Sequence, residues 1–447
     1  MEISALFLAR VQFALSLNVH VLFAALAMAL GWILCVFRFQ AWKTPDSGWT
    51  AAYRFWVRAF ALSFFLALAT ALPILIEFGT LWPALIERTG NVAGPLVAFG
   101  LATFILTKSL FMGIVLFGQR RVSPKLHFFA VLMVAFGLTF TLFWAVVLHT
   151  WAQAPLGAAL IDGRFQVYEW NEVILTPFVF WRSLGFVAGA FLFAGLLLLS
   201  VTAWQALRRP LDPGERLSFR TGIIVSLCAV LVYWAALDGN ARMVARYQPT
   251  VAAAQVGYWQ SSAPPAWIWL GSLNMQARST GVIWGSELSA ARWLGRQANA
   301  SFFGLDLAGE VLPPVALLFW LLRAALLAGM VLSVLMLVTG FVVMRNGFEP
   351  SRHPKWLLRI QVWAVGLGAV TWLLNWNLSD LGCSPYLVSG ALLQQDALVA
   401  AAPATLAWVL ALAAACYAVM FTGFIQMMWH AARFGVVPVR QPGLRHD

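Results

Sequence analysis

Nine stretches of this chain are long and apolar enough to cross a lipid bilayer, and little is left over between them. A span needs about 20 mostly apolar residues in helical form, because the bilayer core offers no water to satisfy a bare backbone. Such stretches lie at about 10–36, 52–75, 95–118, 127–150, 180–206, 219–237, 311–343, 357–378 and 400–429. Hydrophobic residues make up 62% of the chain and charged ones 10%, against roughly a quarter charged in soluble proteins. A soluble multidomain protein and a disordered chain are both excluded. The expectation is an all-α, polytopic membrane helix bundle of about nine transmembrane helices, embedded in the lipid bilayer. It forms one membrane domain over 1–447, with one large connection at about 238–310. The first stretch has no basic segment before it and is long enough to span, so it reads as a helix rather than a cleavable signal.

The formal charge is +12. In a soluble chain that excess would suggest nucleic acid. Here its placement points elsewhere, and no nucleic-acid partner is expected. Of the 29 Lys and Arg, 18 fall on the odd-numbered connections and the C-terminal segment, and seven on the other side. Basic residues mark the cytoplasmic face. The N-terminus and the large connection are therefore expected outside and the C-terminus in the cytoplasm, in a bacterial-type cytoplasmic membrane. The acids Glu77, Glu87, Asp162, Glu169, Glu172, Asp238, Glu287, Asp306, Glu310, Asp380 and Asp396 are assigned to the outer side by the same count.

Four cations remain within the spans: Arg10, Lys108, Arg182 and Arg323. A charge at membrane depth is costly and marks a functional candidate. Arg10 and Arg182 lie near span ends, where they can snorkel to the interface. Arg323, two to three turns into its span, has the donors to hold an anionic group such as a haem propionate or a lipid phosphate. Lys108 is mid-span and must be neutral, paired or facing water, which makes it the candidate for a proton or charge pathway.

Among six histidines, His20 stands out, about ten residues into the first span with apolar neighbours. Imidazole at that depth is either a satisfied core group or an axial ligand of haem iron. His127 and His149 end the fourth span, and His353, His430 and His446 read as solvated. Cys35, Cys228, Cys383 and Cys416 are widely spaced and read as small buried residues rather than a metal site or a disulfide. The large connection is aromatic and mildly basic (Tyr258, Trp259, Trp267, Trp269, Trp284, Trp293), a composition suited to the membrane interface or to covering an amphipathic ligand.

Local motifs, in order along the chain, give the pattern a family likeness. Arg10, Gln12 and then His20 resemble the first span of subunit I of the cytochrome bd quinol oxidases. Phe78 to Trp82 is similar to that family's FGTxW stretch, and Trp151, Gln153 and Pro155 to its GWMQNP. Asn171 to Pro177 resembles the entry to its fifth span, and Gln248 to Thr250 followed by Trp259 the start of its quinol loop. Trp376, Asp380, Gly382 and Pro385 resemble the frame of its GRQPW motif.

The resemblance implies three haems, a quinol site at the outer loop and reduction of oxygen to water. Carried over by position, it retains little of that machinery. The first-span axial histidine matches His20. The low-spin haem's histidine and methionine fall on Gly185 and Ala325, and the other high-spin ligand on Leu373. The two glutamates of the proton path fall near Gly100 and on Lys108. The quinol-contacting Lys and Glu fall on Val251 and Val256, and the GRQPW arginine on Cys383. Gly185 and Gly189 form a GxxxG pair that favours close helix packing and leaves no room for a macrocycle, and His149 is the candidate for a relocated ligand.

The resulting expectation is a divergent bd-type subunit of a respiratory electron-transfer complex, with at most one haem of b or d type, at His20. Its partner would be a second membrane subunit, either subunit II-like or a paralogous subunit I, with quinol as donor. Two alternatives stay open: a complete quinol-oxidising, oxygen-reducing subunit with relocated ligands, and a haem-free scaffold or ion-conducting subunit.

Overall fold

The computed structural model describes residues 4–44, 48–261, 267–286, 303–309 and 311–435. Pro264, Pro265, Glu287, Arg292, Trp293, Arg296, Glu310, Arg440, Arg445 and His446 lie outside them. Among the described residues, nine helical stretches are long and apolar enough to cross a membrane. They are α1 (Ala5–Lys43), α2 (Gly48–Thr80), α3 (Pro83–Thr107) continued through a π-helical turn at Lys108–Met112 into α4 (Gly113–Phe117), and α5 (Pro124–Gln153). The short α6 (Trp170–Ile174) leads into α7 (Pro177–Ala206), followed by α8 (Pro213–Tyr247) and the short α9 (Pro249–Val256). The last three spans are α10 (Val315–Asn346), α11 (Lys355–Asp380) and α13 (Pro403–Phe434), with the single turn α12 (Gln394–Ala397) before the last.

The sequence starts these helices with recognisable devices. Ser4, Ser123 and Thr176 accept the amides of Phe7, Leu126 and Val179, relieving donors that a helix start leaves bare. Asp212 and Glu215 form a capping box around Pro213. Pro occupies the first turn of α3, α5, α7, α8 and α13, where its missing N–H costs nothing. Pro314 likewise ends the connection before α10 rather than kinking it. Each span outruns its apolar window at one end or both, although α10 and α13 begin a few residues inside theirs. α8 continues to Tyr247, with Asp238 and Arg242 paired one turn apart on its surface, so the connection begins at Gln248 rather than near 238.

α1 and α7 are the most enclosed spans, while α3 and α13 expose most of their side chains. α7 and α8 meet at glycines: a Cβ on Gly222 would stand 2.8 Å from the backbone nitrogen of Leu199. Such close approach is how helices associate in lipid, where dispersion contacts replace the hydrophobic effect. Three hairpins cap one end of the bundle: β1 (Ala158–Ile161) with β2 (Arg164–Val167), β3 (Trp267–Asn274) with β4 (Ser279–Ser286), and β5 (Tyr386–Val388) with β6 (Leu392–Leu393), all antiparallel. This loop end also carries α6, α9 and α12. The opposite end carries the arginine-rich connections and is called the basic end below.

The histidines and cysteines divide differently from expectation. His353, read as solvated, is buried at the basic end, its Nε2 2.9 Å from the carbonyl of Gly347 and its ring against Phe219. The turn after α10 folds back and covers it. His430 is exposed. Cys35 is buried and Cys383 partly so, whereas Cys228 and Cys416 lie exposed on helix surfaces, where a thiol reads as a small apolar group facing lipid.

Candidate functional site

Gln12, Ser16 and His20 recur every four residues and share the face of α1 that meets α2. His20 Nδ1 lies 3.0 Å from the carbonyl oxygen of Ala67 and 3.2 Å from the Thr70 hydroxyl. A carbonyl only accepts, so Nδ1 carries the proton and the Nε2 lone pair is left free, the tautomer a metal-ligating imidazole needs. One turn toward the loop end, the Ser16 hydroxyl and the Gln12 amide both donate to Oε1 of Glu77, at 2.7 and 3.2 Å, and the Tyr417 hydroxyl donates to Ser16 at 3.0 Å. Glu77 is only 4% exposed. Charge counting had sorted it with the outer-side acids. Its place at the apolar end of α2, directly before Phe78, was the available signal that it turns inward.

A second polar cluster lies at the loop end between α5, α7 and α11. Arg182 Nη1 donates to Gln153 Oε1 at 2.9 Å, and Gln153 Nε2 donates to the Ser379 carbonyl at 2.7 Å. His149 Nε2 is 3.3 Å from Asp380 Oδ1, and its ring stacks on Trp376 at 4.8 Å. Arg182 does not snorkel. It is 7% exposed, with its guanidinium 4.2 Å over the Phe178 ring. The resemblance had given Gln153 only as a motif letter, and the structure makes it the hub of this cluster.

Arg323 is buried at the loop end of α10, 8% exposed. Its Nη1 donates to the carbonyls of Gln255 and Phe319 at 2.8 and 2.7 Å, and its Nη2 to that of Ile268 at 2.6 Å. Its plane lies 3.3 Å over the Phe319 ring. Gln255 is in the last turn of α9, where carbonyls lack helical partners and the dipole favours a cation. One side chain thus ties α9 and β3 to α10. Nearby, the Trp259 indole donates to Thr280 at 2.9 Å. The Ser261 hydroxyl and amide donate to Asp306 at 2.5 and 3.1 Å, which holds that carboxyl below its ordinary range. Tyr258, Trp259 and Trp267 are buried while Trp284 is exposed. Val251 and Val256 are buried and apolar.

Lys108 opens the π-helical turn and is exposed. Thr107 beside it rests on Gly137, the fourteenth of the thirty residues of α5, which places Lys108 at mid-depth. Among the described residues it has no ion-pair partner. π turns of this kind are frequent at functional positions.

The low-spin haem position of the resemblance does not fit this chain. Gly185 packs on Ala236, and a Cβ on Gly189 would overlap the Trp372 ring, 2.6 Å from its Nε1. Ala325 borders a void of about 10 Å³ lined by Tyr233, Trp234 and Thr371. A neighbouring cavity of about 50 Å³ between α7, α8, α9, α10 and α11 has Arg182, Asn240, Gln248 and Asn375 in its wall. A single water needs about 10–15 Å³ by this measure, so neither void holds a macrocycle. Indole and phenol rings fill the space instead.

The family described as cytochrome bd terminal oxidase subunit I matches residues 8–436. The chain is 25% identical to the cytochrome bd ubiquinol oxidase subunit 1 of Bacillus subtilis (strain 168), covering 87% of this chain and 84% of that one. It is 24% identical to the cytochrome bd-II ubiquinol oxidase subunit 1 of Escherichia coli (strain K12), covering 96% of each. The solved structure of the bd oxidase from Geobacillus thermodenitrificans superposes with a TM-score of 0.87 over 96% of this chain and 99% of that chain, at 18% identity.

Proposed function

The chain belongs to the cytochrome bd terminal oxidase subunit I family, and from this we propose that it is a divergent member holding at most one haem, at His20. It is a bd-type oxidase subunit I-like membrane subunit, of a haem-binding family of bacterial inner-membrane complexes. The observation that carries the low haem content is the filling of the space between α7, α8 and α11 by Trp372, Tyr233 and Trp234, next to Gly185 and Ala325, which offer no axial donor. His20 supports the remaining site because its Nδ1–H is committed to Ala67 and its Nε2 is free. A haem bound there would supply one-electron chemistry and a place for a small ligand. The chain's own part is to fix the imidazole plane and, through Glu77, Ser16 and Gln12, to hold a carboxylate close to it.

The orientation follows from charge: loop end outside, basic end in the cytoplasm. We read the partner as a second bd-type membrane subunit, subunit II-like or paralogous, that covers Lys108. An ammonium at mid-depth in lipid costs about 2.5–3.5 kcal/mol. A partner helix presenting a carboxylate would remove that cost and turn the pair into a charge pathway. Quinol as donor would dock at the loop end, though Val251 and Val256 give it no polar contact there.

The test is a reduced-minus-oxidised spectrum with haem extraction on the complex purified through this chain. One haem or none attributable to this chain, with any such signal lost in His20→Ala, supports the reading. Three haems in this chain overturn it in favour of relocated ligands.

A further inference from the structure

Arg182 leaves half of its guanidinium unused. Nη1 donates to Gln153, but Nε and Nη2 have no hydrogen-bond partner, and Arg182 is 93% buried, the complement of its 7% exposure. A buried, charged donor left unpaired is expensive. No carboxylate of the described residues stands within ion-pair distance of it: Asp380, the nearest in the cluster, is engaged by His149. The two free nitrogens are not a random pair. Nε–H and Nη2–H run parallel along one edge of the guanidinium, the edge that grips a carboxylate through two bonds.

Arg182 lies in the wall of the cavity of about 50 Å³. That volume accommodates about three to five water-sized groups, enough for a compact planar anion. The rest of the wall suits one. The Gln248 amide nitrogen is buried without a partner and is a second donor, and Asn375, Ser379 and Gln255 supply further polar surface. Leu322 and Leu326 close the α10 side with apolar surface, which strengthens any charge pairing inside.

We propose that this cavity is a binding site for a compact carboxylate, gripped through two bonds by the Nε–Nη2 edge of Arg182 and capped by the Gln248 amide. The site stands where the bundle has no room for a macrocycle, and it does not depend on whether His20 carries haem. Its test is therefore separable from that of the oxidase reading.

The experiment uses the intact complex in lipid nanodiscs and 13C-formate as probe, read by infrared difference spectroscopy against matched ionic strength. The expected result is a saturable, shifted carboxylate band, one formate per copy of this chain, insensitive to His20→Ala. Arg182→Gln should abolish it. Arg182→Lys keeps a buried cation but not the parallel edge, and should weaken formate by about tenfold or more. Gln248→Leu, which removes the second donor in the wall, should weaken it less. Absence of a saturable band in the wild-type complex overturns the proposal and assigns the cavity to water alone. A band that persists unchanged in Arg182→Lys and Gln248→Leu places the anion elsewhere and overturns it equally.

Discussion

Asn18 of α1 and Asn377 of α11 hold each other by two reciprocal amide bonds: Asn18 Nδ2 to Asn377 Oδ1 at 3.0 Å and Asn377 Nδ2 to Asn18 Oδ1 at 2.7 Å. The residues are 359 positions apart. Each is half-buried, and each side chain also bonds the helix turn before it. Replacing one alone leaves an amide without its partner. Asn377→Leu should cost about 1–3 kcal/mol, whereas Asn18→Leu with Asn377→Leu together should recover most of it. Thermal unfolding of the four members of this cycle measures the coupling. Strict additivity would mean that the pair contributes nothing of its own.

His20→Ala removes the proposed ligand without disturbing α2, because Thr70 keeps its own bonds to the carbonyls of Leu66 and Ala67. The variant should insert and fold like the wild type, and any haem band belonging to this chain should vanish. His20→Gln, which keeps a polar group but not a strong iron ligand, should behave as the alanine does. A band surviving both substitutions would relocate the haem.

Lys108→Met should ease membrane insertion of this chain alone by about 2.5–3.5 kcal/mol. On the pairing proposed above, it should act oppositely in the complex, by leaving a carboxylate of the partner without its cation. The measurement is retention of the partner subunit through detergent purification, as a function of salt. Equal retention in both proteins would exclude a charge pair at this face.

Arg323→Met would leave the carbonyls of Gln255 and Ile268 without their donor. Hydrogen bonds to a charged group contribute about 1.5–3 kcal/mol each. Amide exchange across 249–261 and 267–286 should therefore rise by at least about tenfold, since 1.4 kcal/mol is a factor of ten. Arg323→Lys should restore little, since one ammonium cannot span both carbonyls. Loss of haem with unchanged exchange would instead support the reading of Arg323 as the partner of an anionic cofactor group.

The Ser261 bonds to Asp306 favour its ionised form, so the carboxyl titrates below its ordinary value of about 3.9. A depressed folded value means that the contribution is present above the unfolded value and lost as pH falls through the folded one. Protection of the amides at 258–261 should hold through neutral pH and fall off only in acid below the usual carboxylate range. Asp306→Asn should remove that acid step. The same step in the variant would assign it to another group.

The nine spans were legible because each is written in about 20 consecutive residues and needs no distant partner. Their proline starts were legible for the same reason. What chain-local reading missed depends on pairs far apart. Arg323 looked like a cation awaiting an anion, because its acceptors are backbone carbonyls 55 and 68 residues away and backbone leaves no mark in a sequence. Glu77 reads only as one of the outer-side acids because its partners Ser16 and Gln12 are 61 and 65 residues distant. Arg182 looked free to snorkel because nothing near it in sequence announces Gln153. Gly185 and Gly189 did announce close packing, since glycine spacing is local, but not that an indole from α11 would fill the gap.

The indole of Trp372 against Gly189 also bears on when this subunit can be made. Where a cofactor fills the centre of a bundle, the chain must wait for it before its helices can settle. Here the filler is encoded and arrives with translation, so the α7–α8–α11 core closes as soon as its last helix is inserted. In a cell short of haem, this part of the subunit can therefore pack just as it does when haem is plentiful.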